Sequence, residues 1–151
     1  MVITNSSQQT KKLGAQFAKN LKGGEIIGLI GTLGSGKTTF TQGMALGLNI
    51  KEKITSPSFI LMQIYSIKKN KKIKYFVHID GWRLKSAKEL KMIGIDDYLR
   101  KKDAIIIIEW ADKVKKILPK NSIIVRFKLG RKENQRIINF NLHPFLKSKL
   151  Q

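Results

Sequence analysis

The chain has 151 residues, 42% of them hydrophobic, no cysteine, and 30 Lys plus Arg against 10 Asp plus Glu, a formal charge of +20. That length suits a single α/β domain, residues 1–151, with a core of its own, and the lack of cysteine excludes disulfides and thiolate metal sites and agrees with a reducing compartment. The opening MVITNSSQQTKK has no apolar run of the signal-peptide kind, and no stretch approaches the ~20 apolar residues of a membrane span, so a cytoplasmic protein with no membrane partner is expected.

Along the chain, Leu13, Phe17, Ala18 and Leu21 recur at helical spacing over residues 7–21, and Gly23 and Gly24 stop that helix. EIIGLI, residues 25–30, reads as a buried strand. KTTFTQGMALGL, residues 37–48, reads as a helix with Phe40, Met44 and Leu48 at spacing four. ITSPSFILMQIYSI and IKYFVHID are β-prone runs around a short basic turn, which predicts an antiparallel hairpin. SAKELKMIGIDDYLRKK, residues 86–102, reads as one or two short helices broken near Gly94. AIIIIEW is the most apolar strand and belongs at the centre of the sheet. SIIVRFKL and RIINFNL end the pattern as two strands around a turn at Gly130. The sum predicts a three-layer α/β domain, its sheet part parallel and part antiparallel.

Between the first buried strand and its helix lies LIGTLGSGKTTF. Gly31, four residues, Gly36, Lys37 and Thr38 fit the phosphate-binding spacing G-x-x-x-x-G-K-[ST]. Glycines let consecutive N–H groups turn inward around an anion. Lys37 would reach the terminal phosphates, and the Thr38 hydroxyl is a hard oxygen ligand for magnesium. The helix that follows would aim the positive end of its dipole at the same anion. The plain alternative is a glycine-rich turn between core elements.

Such a loop needs a carboxylate near the metal. Of the ten acids, Glu52, Glu89, Asp96, Asp97, Asp112 and Glu133 fall in segments read as exposed helix or turn, and Glu25 and Asp103 sit at strand starts. Glu109 closes the run of four isoleucines, at the C-terminal end of a strand where open α/β sheets bind ligands, which is the Walker B arrangement for a magnesium ligand or its water partner. Asp80 closes YFVHI in the same manner. Either acid could instead be a salt-bridged strand end. His78 is expected to be a half-buried structural histidine rather than a catalytic one. Trp82 and Trp110 are expected to be core or rim packing. Arg83 is expected to be a surface arginine rather than an internal arginine finger.

The positive charge favours polyanion partners, nucleic acid above all. Only five of the 30 basic residues are arginines, however, and lysines spread over every segment are also how a solvated surface reads. Two other functions remain open. A small-molecule kinase would share the phosphate loop but needs an acceptor pocket and an arginine-bearing lid. A basic nucleic-acid module would interleave aromatics with its charges, and KKNKKIK and RKENQR carry none.

Four blocks in order, GTLGSGKTTFTQG, TSPSFILMQIY, HIDGWRL and IIEWADK, resemble the TsaE family patterns GDLGAGKTT, SPTF, HFDLYRL and IEWxE over residues 7–140. TKKLGAQFA and ELKMIGIDDYL fit as well. The resemblance implies a small bacterial ATPase needed for threonylcarbamoyladenosine in tRNA, using ATP and Mg2+ and working with two partners, TsaB and TsaD. It implies a P-loop NTPase-like fold in which residues 34–39, Gly34, Ser35, Gly36, Lys37, Thr38 and Thr39, are the ATP phosphate cradle, Gly31 and Leu33 of the same loop also bind the nucleotide, and Thr38 with Glu109 is the magnesium site. It makes Asp80 necessary for hydrolysis alongside Lys37 and Glu109, and the Ser56-Pro57 segment a nucleotide sensor. Thr10 would lie at the adenine end, with Arg136 on the last strand pair. Thr32 stands where the family has Asp, Ser58 where it has Thr, and Gly81-Trp82 where it has Leu-Tyr. None of these changes removes an implied ligand.

Overall fold

The computed structural model describes residues 1–55, 61–68 and 70–141, with Ala87 described by its backbone alone. The Ser56-Pro57 segment, Ser58 and the chain after residue 141 lie outside the described residues.

Seven strands form one mixed sheet, β1 (Val2–Thr4), β2 (Ile26–Ile30), β3 (Met62–Ser66), β4 (Tyr75–Asp80), β5 (Ala104–Glu109), β6 (Ile123–Leu129) and β7 (Arg136–Asn141), in spatial order β1-β7-β6-β2-β5-β4-β3. The four central strands β6, β2, β5 and β4 run parallel. The edges are antiparallel, through the β3–β4 hairpin, the β6–β7 hairpin turning at Gly130, and β1 against β7. The expected mixed sheet and the central place of AIIIIE are both present. Strand β1 was not anticipated, because three residues carry no readable period.

Alternation along β5 shows how the layers form. Ile105 and Ile107 join one core with Phe17 of helix α1 (Ser7–Ala18) and Phe40 and Met44 of helix α2 (Lys37–Gly47). Ile106 and Ile108 join a second core on the opposite face, with Leu90 of helix α3 (Ala87–Met92), Ile95 beside helix α4 (Asp96–Leu99), and Ala111 and Val114 of the 3₁₀ turns over Ala111–Ile117. The break between α3 and α4 falls at Gly94, whose φ of 84° lies in the left-handed region.

Helix α1 starts where Ser6, in extended backbone, accepts a hydrogen bond from the Gln9 N–H at 3.2 Å, the usual N-cap arrangement. It then packs on α2 at a separation that only glycine permits. A Cβ added at Gly43 would stand 2.1 Å from the Lys11 carbonyl oxygen, and one at Gly14 2.3 Å from that of Phe40. This close crossing brings the start of α1 beside the start of α2. Among the described residues no helix is long and apolar enough to cross a membrane.

Candidate functional site

The loop between β2 and α2 closes on two left-handed residues, Gly34 at φ 72° and Gly36 at φ 98°, and α2 begins at the next position. A residue with a Cβ pays for that conformation and glycine does not, so the spacing of the motif is a backbone requirement. The loop rims a cleft of about 520 Å³, also lined by Ser7, Thr10, Asp80, Trp82, Arg83, Glu109, Trp110, Asn134 and Arg136.

Lys37 is buried at 5% exposure, and its Nζ donates to the carbonyl oxygens of Gly31 at 2.8 Å and Thr32 at 2.9 Å. The same ammonium lies 3.8 Å from the centroid of the Trp110 ring. Burial pushes the Lys37 amine below its ordinary pKa, while the nearby carboxylates of Glu109, Asp80 and Asp112 pull it back up. An anionic phosphate beside the amine would act in the same direction as those carboxylates. Thr32 contributes its main-chain oxygen, so the exchange of Asp for Thr there leaves this anchor intact.

Thr38 Oγ1 donates to Glu109 Oε2 at 2.9 Å. Their Cα atoms belong to α2 and β5, 71 positions apart in sequence, and meet because β5 is the neighbour of β2 in the sheet. Asp80 pairs with Glu109 across β4 and β5, so both carboxylates end adjacent parallel strands on the same face. Asp80 Oδ1 accepts the Trp82 N–H at 2.9 Å, and the Gly81 N–H donates to the Glu109 carbonyl oxygen at 2.8 Å, which ties the two strand ends together. Among the described residues no three His, Asp or Glu side chains are grouped to hold a metal by themselves. A hydroxyl and a carboxylate opening on one cleft, with a second carboxylate alongside, fit magnesium, which keeps several waters and takes further oxygens from phosphates.

Thr10 and Arg136, remote in sequence from the loop, are both at the cleft. The Thr10 hydroxyl is buried and lies 2.7 Å from that of Thr4. Arg136 Nε donates to the Gly34 carbonyl oxygen at 3.1 Å, and its Nη1 to those of Glu133 and Gln135 at 2.7 and 2.9 Å. Leu33, at 83% exposure, stands at the rim, as does Trp82 at 52%. The two tryptophan rings are 4.4 Å apart between centroids. Trp110 takes φ 58°, a left-handed conformation unusual for a bulky residue, immediately after Glu109.

One expectation needs correction. His78 is fully buried, not half-buried, and its Nε2 lies 2.8 Å from Glu109 Oε1. Two residues before Asp80 on the same strand, it shares the face of Asp80, but nothing in the order of residues sets it beside Glu109. Ser7 and Asn134 were not anticipated at all, because neither sits in a recognisable pattern.

A model of the family described as "Threonylcarbamoyl adenosine biosynthesis protein TsaE" matches residues 4–138. Two proteins described as "tRNA threonylcarbamoyladenosine biosynthesis protein TsaE" are similar over nearly their full length. The one from Rickettsia prowazekii is 35% identical over 147 residues, 97% of each chain. That from Treponema pallidum is 31% identical over 135 residues, 89% of this chain and 96% of its own. The crystal structure of Bacillus subtilis YdiB matches with a TM-score of 0.77 at 27% identity, covering 99% of this chain and 91% of that one. Sequence likeness over almost the whole length and a shared fold lead to one conclusion: the chain belongs to the TsaE family and shares its role in the biosynthesis of threonylcarbamoyladenosine in tRNA.

Proposed function

We propose that this chain is a cytoplasmic, magnesium-dependent P-loop ATPase that binds and hydrolyses ATP and thereby acts on the TsaB and TsaD assembly. The observation that carries the reading is the meeting of Thr38 and Glu109 at 2.9 Å beside the loop that holds Lys37. A hydroxyl and a carboxylate brought together from α2 and β5 at the mouth of a glycine-bent loop answer the needs of a metal-bound triphosphate.

The N–H groups of residues 34–39 cradle the phosphates at the positive end of α2. Lys37 exchanges its two loop carbonyls, which are neutral acceptors, for the β and γ phosphate oxygens, so that donor and acceptor are both charged. Thr38 Oγ1 and Glu109 Oε2 would hold the metal, which when bound would supply positive charge to neutralise the developing negative charge of the phosphates. Asp80 accepts hydrogen bonds from the water that attacks. Thr10 and Arg136 border the base end of the nucleotide, and Arg136 steadies the loop through Gly34.

Fast turnover also needs charge neutralised beyond the γ-phosphate, and an arginine supplied by a partner raises such rates ~10³ to 10⁵-fold. The open side of the cleft carries Leu33 and Trp82, both exposed, and leaves room for that partner. Steady-state phosphate release is the test. Slow, magnesium-dependent hydrolysis by the chain alone and acceleration by TsaB with TsaD are expected. Absence of ATP consumption in every combination would overturn the reading, and transfer to a small acceptor in place of water would make the chain a kinase.

A further inference from the structure

His78 interrupts the apolar strand YFVHID, is 0% exposed, and leaves Nδ1 without a hydrogen-bond partner among the described residues. An unsatisfied buried polar atom is destabilising, a cost that an apolar side chain of similar volume would avoid. What the imidazole does in return is visible at its other nitrogen, 2.8 Å from Glu109 Oε1.

Each oxygen of the Glu109 carboxylate therefore has one partner, Oε1 facing His78 Nε2 and Oε2 receiving the Thr38 hydroxyl. A carboxylate only accepts when ionised, so Nε2 is the donor of that pair. Register explains why the anchor is useful. Asp80 sits directly across from Glu109, and His78 is one pair further back on the same face. Like charges directly opposite on one face repel. A donor behind Glu109 occupies Oε1 and leaves Oε2 as the oxygen that meets Thr38 at the cleft. In a buried setting such a hydrogen bond is stronger than one in water.

We propose that His78 is a positioning residue for Glu109, holding its carboxylate so that Oε2 is the oxygen offered to a divalent cation. The proposal rests on the ATPase reading above for the identity of that cation's companion, a nucleotide phosphate. Partners behind a metal ligand change metal affinity ~10 to 100-fold when removed.

The test uses the full chain with Mn²⁺ as a spectroscopic probe and ADP as a nucleotide that is not consumed. His78→Phe keeps a ring and removes both nitrogens, and His78→Gln restores an N–H near the position of Nε2. Electron paramagnetic resonance should find Mn²⁺ binding to the ADP complex weakened ~10 to 100-fold in His78→Phe and largely recovered in His78→Gln. Affinity for ADP without metal, and the melting temperature, should stay close to the parent values. Mn²⁺ binding in His78→Phe as tight as in the parent would overturn the proposal. A second measurement needs no folded variant of His78 and no nucleotide. In parent protein with ¹⁵N-labelled histidine, assigned against His143→Gln, the His78 ring should carry its proton on Nε2. A ring protonated on Nδ1 alone has nothing to donate to Glu109, and finding it would overturn the proposal. A parent that carries the Nε2 proton but binds no nucleotide would sink the ATPase reading while leaving the His78–Glu109 anchor supported.

Discussion

Lys37→Met separates binding from folding more sharply than any other change at the cleft. Methionine keeps the apolar stem and removes only the ammonium. In the protein that ammonium makes two hydrogen bonds to loop carbonyls and lies over Trp110, contacts worth ~1 kcal/mol each in net stability. Against them stands the cost of keeping a cation at 5% exposure, the cause of its lowered pKa. The two nearly offset, so stability should change by no more than ~1 to 2 kcal/mol, a melting shift within ~8 °C for a chain of this size. Nucleotide binding is offset only in part. The parent exchanges two loop carbonyls, ~1 kcal/mol each, for two phosphate oxygens at ~1.5 to 3 kcal/mol each, so the variant should lose ~1 to 4 kcal/mol, an ATP dissociation constant about 5 to 10³-fold larger. Calorimetric titration with ATP alongside a thermal melt gives both numbers. If the variant melted like the parent and bound ATP within threefold of it, the assignment of Lys37 to the phosphates would be wrong.

Glu109→Gln should fold, yet lose magnesium-dependent phosphate release at least 100-fold, because an amide is a poor ligand for a hard cation and one of its ends must present a donor to a donor at His78 or Thr38; an unchanged rate would shift the metal role to Asp80. Gly43→Ala tests the α1–α2 crossing by sign. Helix propensity alone predicts a gain of ~1 kcal/mol, whereas a Cβ 2.1 Å from the Lys11 carbonyl oxygen should cost ~3 kcal/mol, and a urea midpoint at or above that of the parent would refute the close approach. The charge of +20 should give RNA binding that weakens steeply with salt and does not distinguish tRNA from an unrelated RNA, since phosphate contacts release counterions and no base-reading motif is present. Filter binding across a salt series checks this, and a tRNA preference that persists at high salt would contradict it.

Local chemistry was legible from the residues in order. The glycines of LIGTLGSGKTTF demand a bent loop wherever they stand, and two of them take left-handed angles here. Periodicity marked α1 and α2, because a half-buried helix repeats its apolar residues with its own geometry, and β-prone runs around a short basic turn marked the hairpin strands. Acids after apolar runs marked Asp80 and Glu109 as strand ends. Neighbourhood was another matter. Four consecutive isoleucines are buried on both faces, so nothing in IIII says which of them meets α2 and which meets α3. That β5 lies beside β2, bringing Glu109 to Thr38, follows from how the strands order themselves, a choice made by packing across the whole sheet. The same choice turned His78 from core filler into the partner of Glu109. It also carried Thr10 and Arg136 to the loop from opposite ends of the chain. Spacing in sequence reports the face on which a side chain stands; only the assembled sheet decides what stands opposite.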